Sequence, residues 1–391
     1  MRYLQGNRIF PMHTSPVDDH VLVLQDDERI SGIVPASEID PTLIEYHAGY
    51  ILPGFVNAHC HLELSHLLNV FPEKTGLPGF LSLVIQQRNA EAEQVQQAMR
   101  DADAYMWQQG IVAVGDISNV ADSFQIKAQS KIAYHTFIEL FAFDPARVAS
   151  LMEKGKALLA QANGFNLKAS LAPHAPYSIN EPLVEAITTY CATHGLPTSV
   201  HMLESNDENE LYVQSTGLFR KLYREMGLAF DQFFTPTGKT SLASTLPWFH
   251  KEVPTLLVHN TIATSWDAEW AEEIHPNLFW CMCPNANRFI EDRLPDIPML
   301  QKEVQYITIG TDSLASNHQL SIAAELQTIR RAFPEIALQD LLRWATFYGA
   351  KALGMQDRFG SFEAGKRPGV VALETDTPDG SWKVTRISRH T

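Results

Sequence analysis

The chain has 391 residues, 45% of them hydrophobic and 19% charged, and its 30 basic residues against 45 acidic ones give a formal charge of −15. That balance argues against a nucleic-acid or anionic-membrane surface, and no apolar run reaches the roughly 18 residues of a membrane span. Four cysteines, Cys60, Cys191, Cys281 and Cys283, are too few in so long a chain for a disulfide framework. With no signal-peptide pattern at the N-terminus, the expected location is the cytoplasm.

The chain opens with short, partly alternating segments, Tyr3 to Phe10, His20 to Gln25, Ile30 to Val34 and Tyr46 to Leu52, separated by turn-formers such as Asp26-Asp27 and Ser31-Gly32. These read as strands of a small sheet. The apolar run Ile51 to Val56 then leads into Asn57-Ala58-His59-Cys60-His61. A strand has a side-chain period of two, so His59 and His61 project to one side and Cys60 to the other. Two imidazoles so placed can share one divalent metal without backbone distortion.

Apolar strands recur after this point: Ile111 to Asp116, Ile132 to Leu140, Leu167 to Ala172, Thr198 to Met202, Thr255 to His259, Leu278 to Cys283 and Tyr306 to Thr311. Segments of helical period lie between them, among them Ala90 to Gln109, Pro145 to Ala162, Glu181 to His194 and Ile322 to Ala332. With Ile51 to Val56 the strands number eight, and eight β-then-α units predict an α/β chain folded as a (β/α)8 TIM-like barrel. An open doubly wound sheet is the alternative, but no G-x-G-x-x-G follows the first strand, which also removes most of the case for a dinucleotide cofactor. Gly360 to Val371 returns to turn-and-strand character. The expected plan is therefore a small composite β-sandwich from residues 1–52 and 357–391 around a barrel of residues 53–356.

The C-terminal ends of the strands carry the active site in such a barrel. Those positions hold His59 and His61, His174 after strand four, His201 with Glu204 beyond it, His259 and Asp312. Cys281 and Cys283 share one side of a strand with Trp280 and Met282 about them, which reads as packing.

These residues also resemble a family. Pro53 to His61, His201-Met-Leu-Glu204, His259, Gly310-Thr-Asp-Ser313 with Asn317, Ala345-Thr346 with Gly349-Ala350, and the late Gly360-Ser-Phe362 resemble the amidohydrolase superfamily over nearly the whole chain. The likeness is to its single-metal deaminases of nucleobases and nucleosides. The resemblance implies that His59, His61, His201 and Asp312 bind one divalent metal, Zn²⁺ or Fe²⁺. It implies that Glu204 carries protons between the attacking water, the ring and the leaving amine, with His259 and Asp312 beside it. Lys168 lies at the start of strand four rather than at its end, where two-metal relatives carry a carboxylated lysine, and this favours one metal.

Substrate contacts are expected from His174, in a segment similar to that of methylthioadenosine and adenosylhomocysteine deaminases. Asn285 and Asn287 either contact substrate or shape a turn, and Asn317 is placed with them. Leu62-Glu63 is reminiscent of aminodeoxyfutalosine deaminases. Glu63 either binds ribose hydroxyls or a purine edge, or orients a ligand histidine. Glu73 with Lys74, in a loop over the site, and Glu139, at the end of strand three, are further candidates. The expected activity is hydrolytic deamination of an aminopurine nucleoside-like compound of the aminodeoxyfutalosine, methylthioadenosine, adenosylhomocysteine or adenosine type. A pterin or free base, a chlorinated ring or a cyclic amide is the alternative, and a binding protein on an inactive barrel a third. The partner is a small-molecule substrate, not nucleic acid or membrane, and a homo-oligomer is left open.

Overall fold

The computed structural model describes residues 1–375 and 380–387. The parts of the expected C-terminal unit at 376–379 and 388–391 lie outside the described residues. Eight parallel strands form the centre in two sheets. One runs in the order β10-β9-β8-β7, from β7 (Phe55–Cys60), β8 (Ile111–Ser118), β9 (Ala133–Leu140) and β10 (Lys168–Pro173). The other runs β11-β12-β13-β14, from β11 (Thr198–Met202), β12 (Thr255–His259), β13 (Leu278–Met282) and β14 (Ile307–Ile309). Their residues are buried almost without interruption, as parallel strands covered on both faces must be.

The two sheets touch at both edges. Thr311 and Asp312 donate their N–H groups to the carbonyl of His59 at 3.0 and 3.1 Å. At the other edge the His201 N–H donates to the His174 carbonyl at 2.9 Å, and Thr198 Oγ1 donates to Leu171. Alternate side chains, Val56, Ala58, Ala113, Phe137, Leu256 and Phe279 among them, meet in one cluster between the sheets. Cys281 and Cys283 belong to that cluster, whereas Cys60 faces the outer layer of helices.

The helix Glu181–His194 shows how that outer layer is specified. Asn180 caps it by accepting from the Leu183 N–H at 3.0 Å, Pro182 occupies its first turn, and Gly195 ends it at φ 63°. Its buried face, Leu183, Val184, Ile187 and Cys191, follows the helical period against β10.

The expected strand from Ile51 to Val56 is divided at Gly54. Tyr50–Pro53 (β6) belongs to a peripheral sheet and β7 starts at Phe55. A Cβ on Gly54 would lie 2.3 Å from Val112 Cγ1 and 2.9 Å from the Pro368 carbonyl, so only glycine fits where the chain passes from one sheet to the other. The expected strand Tyr3 to Phe10 likewise divides into β1 (Arg2–Gln5) and β2 (Arg8–Ile9).

Two four-stranded sheets flank the centre. β3 (His20–Leu24), β4 (Ile30–Pro35) and β5 (Ile44–Tyr46) join β1 in the order β4-β3-β1-β5. β15 (Val370–Glu374) and β16 (Lys383–Ile387) join the N-terminal strands as β16-β15-β6-β2. The antiparallel β6–β15 pairing, Pro53 with Val370 through Tyr50 with Leu373, ties the two ends of the chain together. Leu4, Leu22, Leu24, Ile51, Phe362 and Val370 share one core beneath these sheets. Among the described residues no helix is long and apolar enough to cross a membrane.

Candidate active site

The strands end in a common region, and the backbone there turns sharply. His259 (φ 78°), Asn260 (φ 55°), Leu203 (φ 51°) and Asp312 (φ 56°) all take left-handed conformations. These are uncommon for residues other than glycine and cluster where a scaffold over-determines the backbone. Here they redirect the chain just past β11, β12 and β14.

Three imidazoles and a carboxylate converge in this region. His61 Nε2 lies 3.1 Å from His59 Nε2 and 3.3 Å from His201 Nε2. Asp312 Oδ1 lies 3.4 Å from His61 Nε2 and 3.7 Å from His59 Nε2. His259 closes a second grouping with His59 and His201, and Glu139, His174 and His201 form a third.

Partners on the far side fix two of the rings. His201 Nδ1–H donates to the His174 carbonyl at 2.8 Å, and His259 Nδ1–H donates to Asn287 Oδ1 at 3.0 Å. Asn287 is itself oriented by donating to Thr261 Oγ1 at 2.7 Å. In neutral rings this leaves Nε2 as a lone pair aimed inward. Burial, then the neighbouring histidines, pushes His61 down to about 3, and burial takes His259 down to about 4. Burial raises the Asp312 carboxyl, but the surrounding imidazoles of His59, His61 and His259 outweigh it and hold it well below the usual range. Unprotonated nitrogens facing one another around an anion suit a divalent cation of the borderline class.

Glu204 stands opposite, with Oε1 3.6 Å from His259 Nε2. Burial, then the charges of Asp312, Glu208 and Glu291, raises its carboxyl well above the ordinary range, favouring the protonated form. A cavity of about 310 Å³ opens over these groups. Its floor holds His61, His174, His201, Glu204, His259 and Asp312, and its walls are mostly apolar, with Phe80, Phe141, Tyr177 and Phe219 among them.

The model of the amidohydrolase family matches residues 50–388. This chain belongs to the amidohydrolase family. Among curated relatives, the adenosine deaminase of Helicobacter pylori is 29% identical over 325 residues, covering 81% of this chain and 77% of the relative. The aminodeoxyfutalosine deaminase of a Nitratiruptor species is 25% identical over 348 residues, covering 87% of this chain and 82% of the relative. Among solved structures, the H. pylori aminofutalosine deaminase in complex with methylthio-coformycin superposes with a TM-score of 0.82 at 24% identity, over 96% of this chain and 93% of that one. That likeness bears on the fold.

Within this amidohydrolase the remaining sequence-predicted residues separate. His174 lines the cavity, its Nδ1–H given to Ser178 Oγ at 2.7 Å while that hydroxyl donates to the Ala175 carbonyl. Glu63 is buried but outside the cavity lining. The short 3₁₀ turn Leu62–Leu67 swings it toward β8, where it accepts from the N–H groups of Asn119 and Val120 at 3.1 and 3.4 Å. Glu73 is exposed on the surface, 2.9 Å from His318 Nε2, and Lys74 pairs with Asp292. Asn285 and Asn317 spend their side-chain amides on the buried Glu325, at 3.0 and 2.8 Å, and neither lines the cavity. Asn287 acts on His259 rather than on the open space.

Two groups escape the sequence reading. Glu208 is fully buried and accepts from the N–H groups of Leu203 and Glu204 at 2.9 and 3.2 Å. The pattern Ser205-x-x-Glu208, a capping-box signature, is the signal that marks it. Lys127 and Asp116 form a buried pair at 2.5 Å, and Asp116 Oδ1 also accepts from the Leu62 N–H at 2.7 Å, next to His61. No local pattern distinguishes that lysine from a solvated helix residue.

Proposed function

We propose that this chain is a metal-dependent hydrolytic deaminase of an aminopurine nucleoside-like compound, releasing ammonia. The observation that carries the reading is the convergence of His61, His201 and Asp312 on the floor of one cavity, with His59 buried against them, opposite the Glu204–His259 pair. The relatives named adenosine deaminase and aminodeoxyfutalosine deaminase support the substrate class. Part of the same proposal is that the two central sheets make one (β/α)8 barrel of residues 53–356. Residues 1–52 and 357–391 would form a small composite β-sandwich beside it. A cytoplasmic setting is proposed too, supported by four buried cysteines that are all free thiols.

His59, His61, His201 and Asp312 would hold one Zn²⁺ or Fe²⁺, which supplies Lewis acidity and makes a water more acidic. The residues of the chain do the rest. Glu204, biased toward its protonated form, gives a proton to a ring nitrogen of the purine as water adds at the amine-bearing carbon. It takes one proton from that water and passes it to the departing amine, and the oxygen's remaining proton returns to Glu204 as the amine leaves, so that amine plus water becomes oxo product plus ammonia. His259, held by Asn287, hydrogen-bonds the oxygen that adds, and Asp312 provides a second carboxylate beside it. The apolar walls keep bulk water away from these proton transfers.

Ammonia release by the metal-replete protein across 6-aminopurine nucleosides, free bases and pterins tests this reading, with chloride release from chlorinated rings measured alongside. Nucleosides should turn over best. Best turnover on pterins, free bases or chlorinated rings, with no nucleoside touched, would replace the substrate class.

A further inference from the structure

Glu139 lies at the end of β9 with its side chain on the cavity wall and nine-tenths buried. One carboxyl oxygen, Oε2, accepts from Asn119 Nδ2 at 2.9 Å. The other, Oε1, is buried and has no hydrogen-bond partner among the described residues. A buried acceptor left without a donor is costly, and such a group is retained where a ligand completes it. The nearest polar hydrogen of the protein is already committed. His201 Nδ1 lies 3.8 Å from Oε1 but donates to the His174 carbonyl at 2.8 Å.

A second acceptor stands beside it. Because Ser178 Oγ takes the Nδ1–H of His174, a neutral His174 presents Nε2 as a lone pair. Glu139, His174 and His201 each offer an atom within 4.8 Å of the others. His201 has its Nδ1 committed to a carbonyl and its Nε2 turned to His61, so this trio makes a poor second cation cradle. What remains is a pair of neighbouring acceptors in want of two donors. Arg88, the one lysine or arginine among the lining residues, is exposed, and no protein donor among the described residues reaches Glu139 Oε1, so a ligand's donors would complete the pair.

We propose that Glu139, with His174 beside it, is the specificity-determining contact for the vicinal hydroxyls of the substrate's ribose. Glu63 is a positioning residue for it. Glu63 holds the backbone of Asn119 at 3.1 Å, and the Asn119 side chain holds Glu139. The acidic residue after the His-x-His motif therefore reaches the sugar only through two intermediates. This assignment rests on the deaminase reading above.

The test compares kcat/KM of the metal-replete holoenzyme for adenosine and for 2′,3′-dideoxyadenosine. Wild type should favour the diol by about 10- to 100-fold, the scale of a site whose polar groups are left unpaired by the wrong ligand. In Glu139→Met the ratio should fall to near one, through loss on adenosine. Glu63→Ala should lower the same ratio, and Glu63→Gln, which keeps an acceptor oxygen, should restore part of it. An unchanged ratio in Glu139→Met, or an equal fall on both substrates, overturns the assignment while leaving the deaminase reading in place. Failure of wild type to deaminate either compound overturns both.

Discussion

Glu204 Oε1 and His259 Nε2 lie 3.6 Å apart, and both side chains are buried at the floor of the cavity. Burial moves them in opposite senses, raising the carboxyl and lowering the imidazole. Each is thereby biased to its neutral form, so the pair stands as a proton donor beside a lone-pair acceptor rather than as an ion pair. Glu204→Gln keeps the shape and removes the exchangeable proton. Turnover should fall by about 10²–10⁴-fold with the metal content unchanged. Near wild-type kcat in the metal-replete variant would move the proton transfer elsewhere.

Glu208 holds the segment that carries Glu204. Its carboxyl, pushed up to about 7 by burial, accepts from two consecutive backbone N–H groups, at Leu203 and Glu204, where Leu203 has φ 51°. Glu208→Ala strands both donors. Chemical denaturation should show a loss of about 1–3 kcal/mol, and kcat should fall more than KM rises. Glu208→Gln, with one acceptor oxygen retained, should recover part of both.

The Asp116–Lys127 pair is fully buried behind the turn that bears His61, with Ser118 Oγ accepting from Lys127 Nζ at 2.8 Å. Replacing one partner leaves the other charge buried and uncompensated. Lys127→Met should cost about 3–5 kcal/mol in unfolding free energy. A loss under 1 kcal/mol would mean that Asp116 is satisfied by the Leu62 N–H without the lysine.

Stability should depend on pH through Glu325, which lies among Asn285, Asn317 and Thr328. Burial outweighs the donated hydrogen bonds and pushes its carboxyl up to about 8. The folded state then holds a proton that the unfolded chain, near the ordinary value of 4.5, has lost. The contribution is fully present below that ordinary value and disappears as pH rises through the folded one. The stability of wild type minus that of Glu325→Gln should therefore fall between pH 5 and pH 9, by on the order of a few kcal/mol. A difference that grows with pH would reverse the assignment.

Much of the central architecture was legible because parallel strands buried on both faces read as apolar runs, and their order places titratable ends together. His59, His61, His174, His201, His259 and Asp312 could be grouped by their positions at strand ends, whereas the choice of candidate ligands among them rested on the family resemblance. Side-chain direction in the loops was not legible. Glu63 follows the His-x-His motif in sequence, yet its 3₁₀ turn sends it to the backbone of Asn119 rather than into the cavity. Asn285 and Asn317 follow strand ends as well, but a buried carboxyl 40 and 8 residues away, at Glu325, claims their amides. Such long-range polar pairings leave no period in the chain. Glu139 gave only a weak signal in sequence because what singles it out is an unpartnered oxygen, which only the packed structure reveals.

Ammonia release from a 6-aminopurine nucleoside, followed before and after chelation and paired with elemental analysis, tests the central claim most directly. The purified protein should carry one divalent metal per chain, lose activity with it, and regain activity when Zn²⁺ or Fe²⁺ is restored. Two metals per chain, or undiminished ammonia release from metal-free protein, would contradict it.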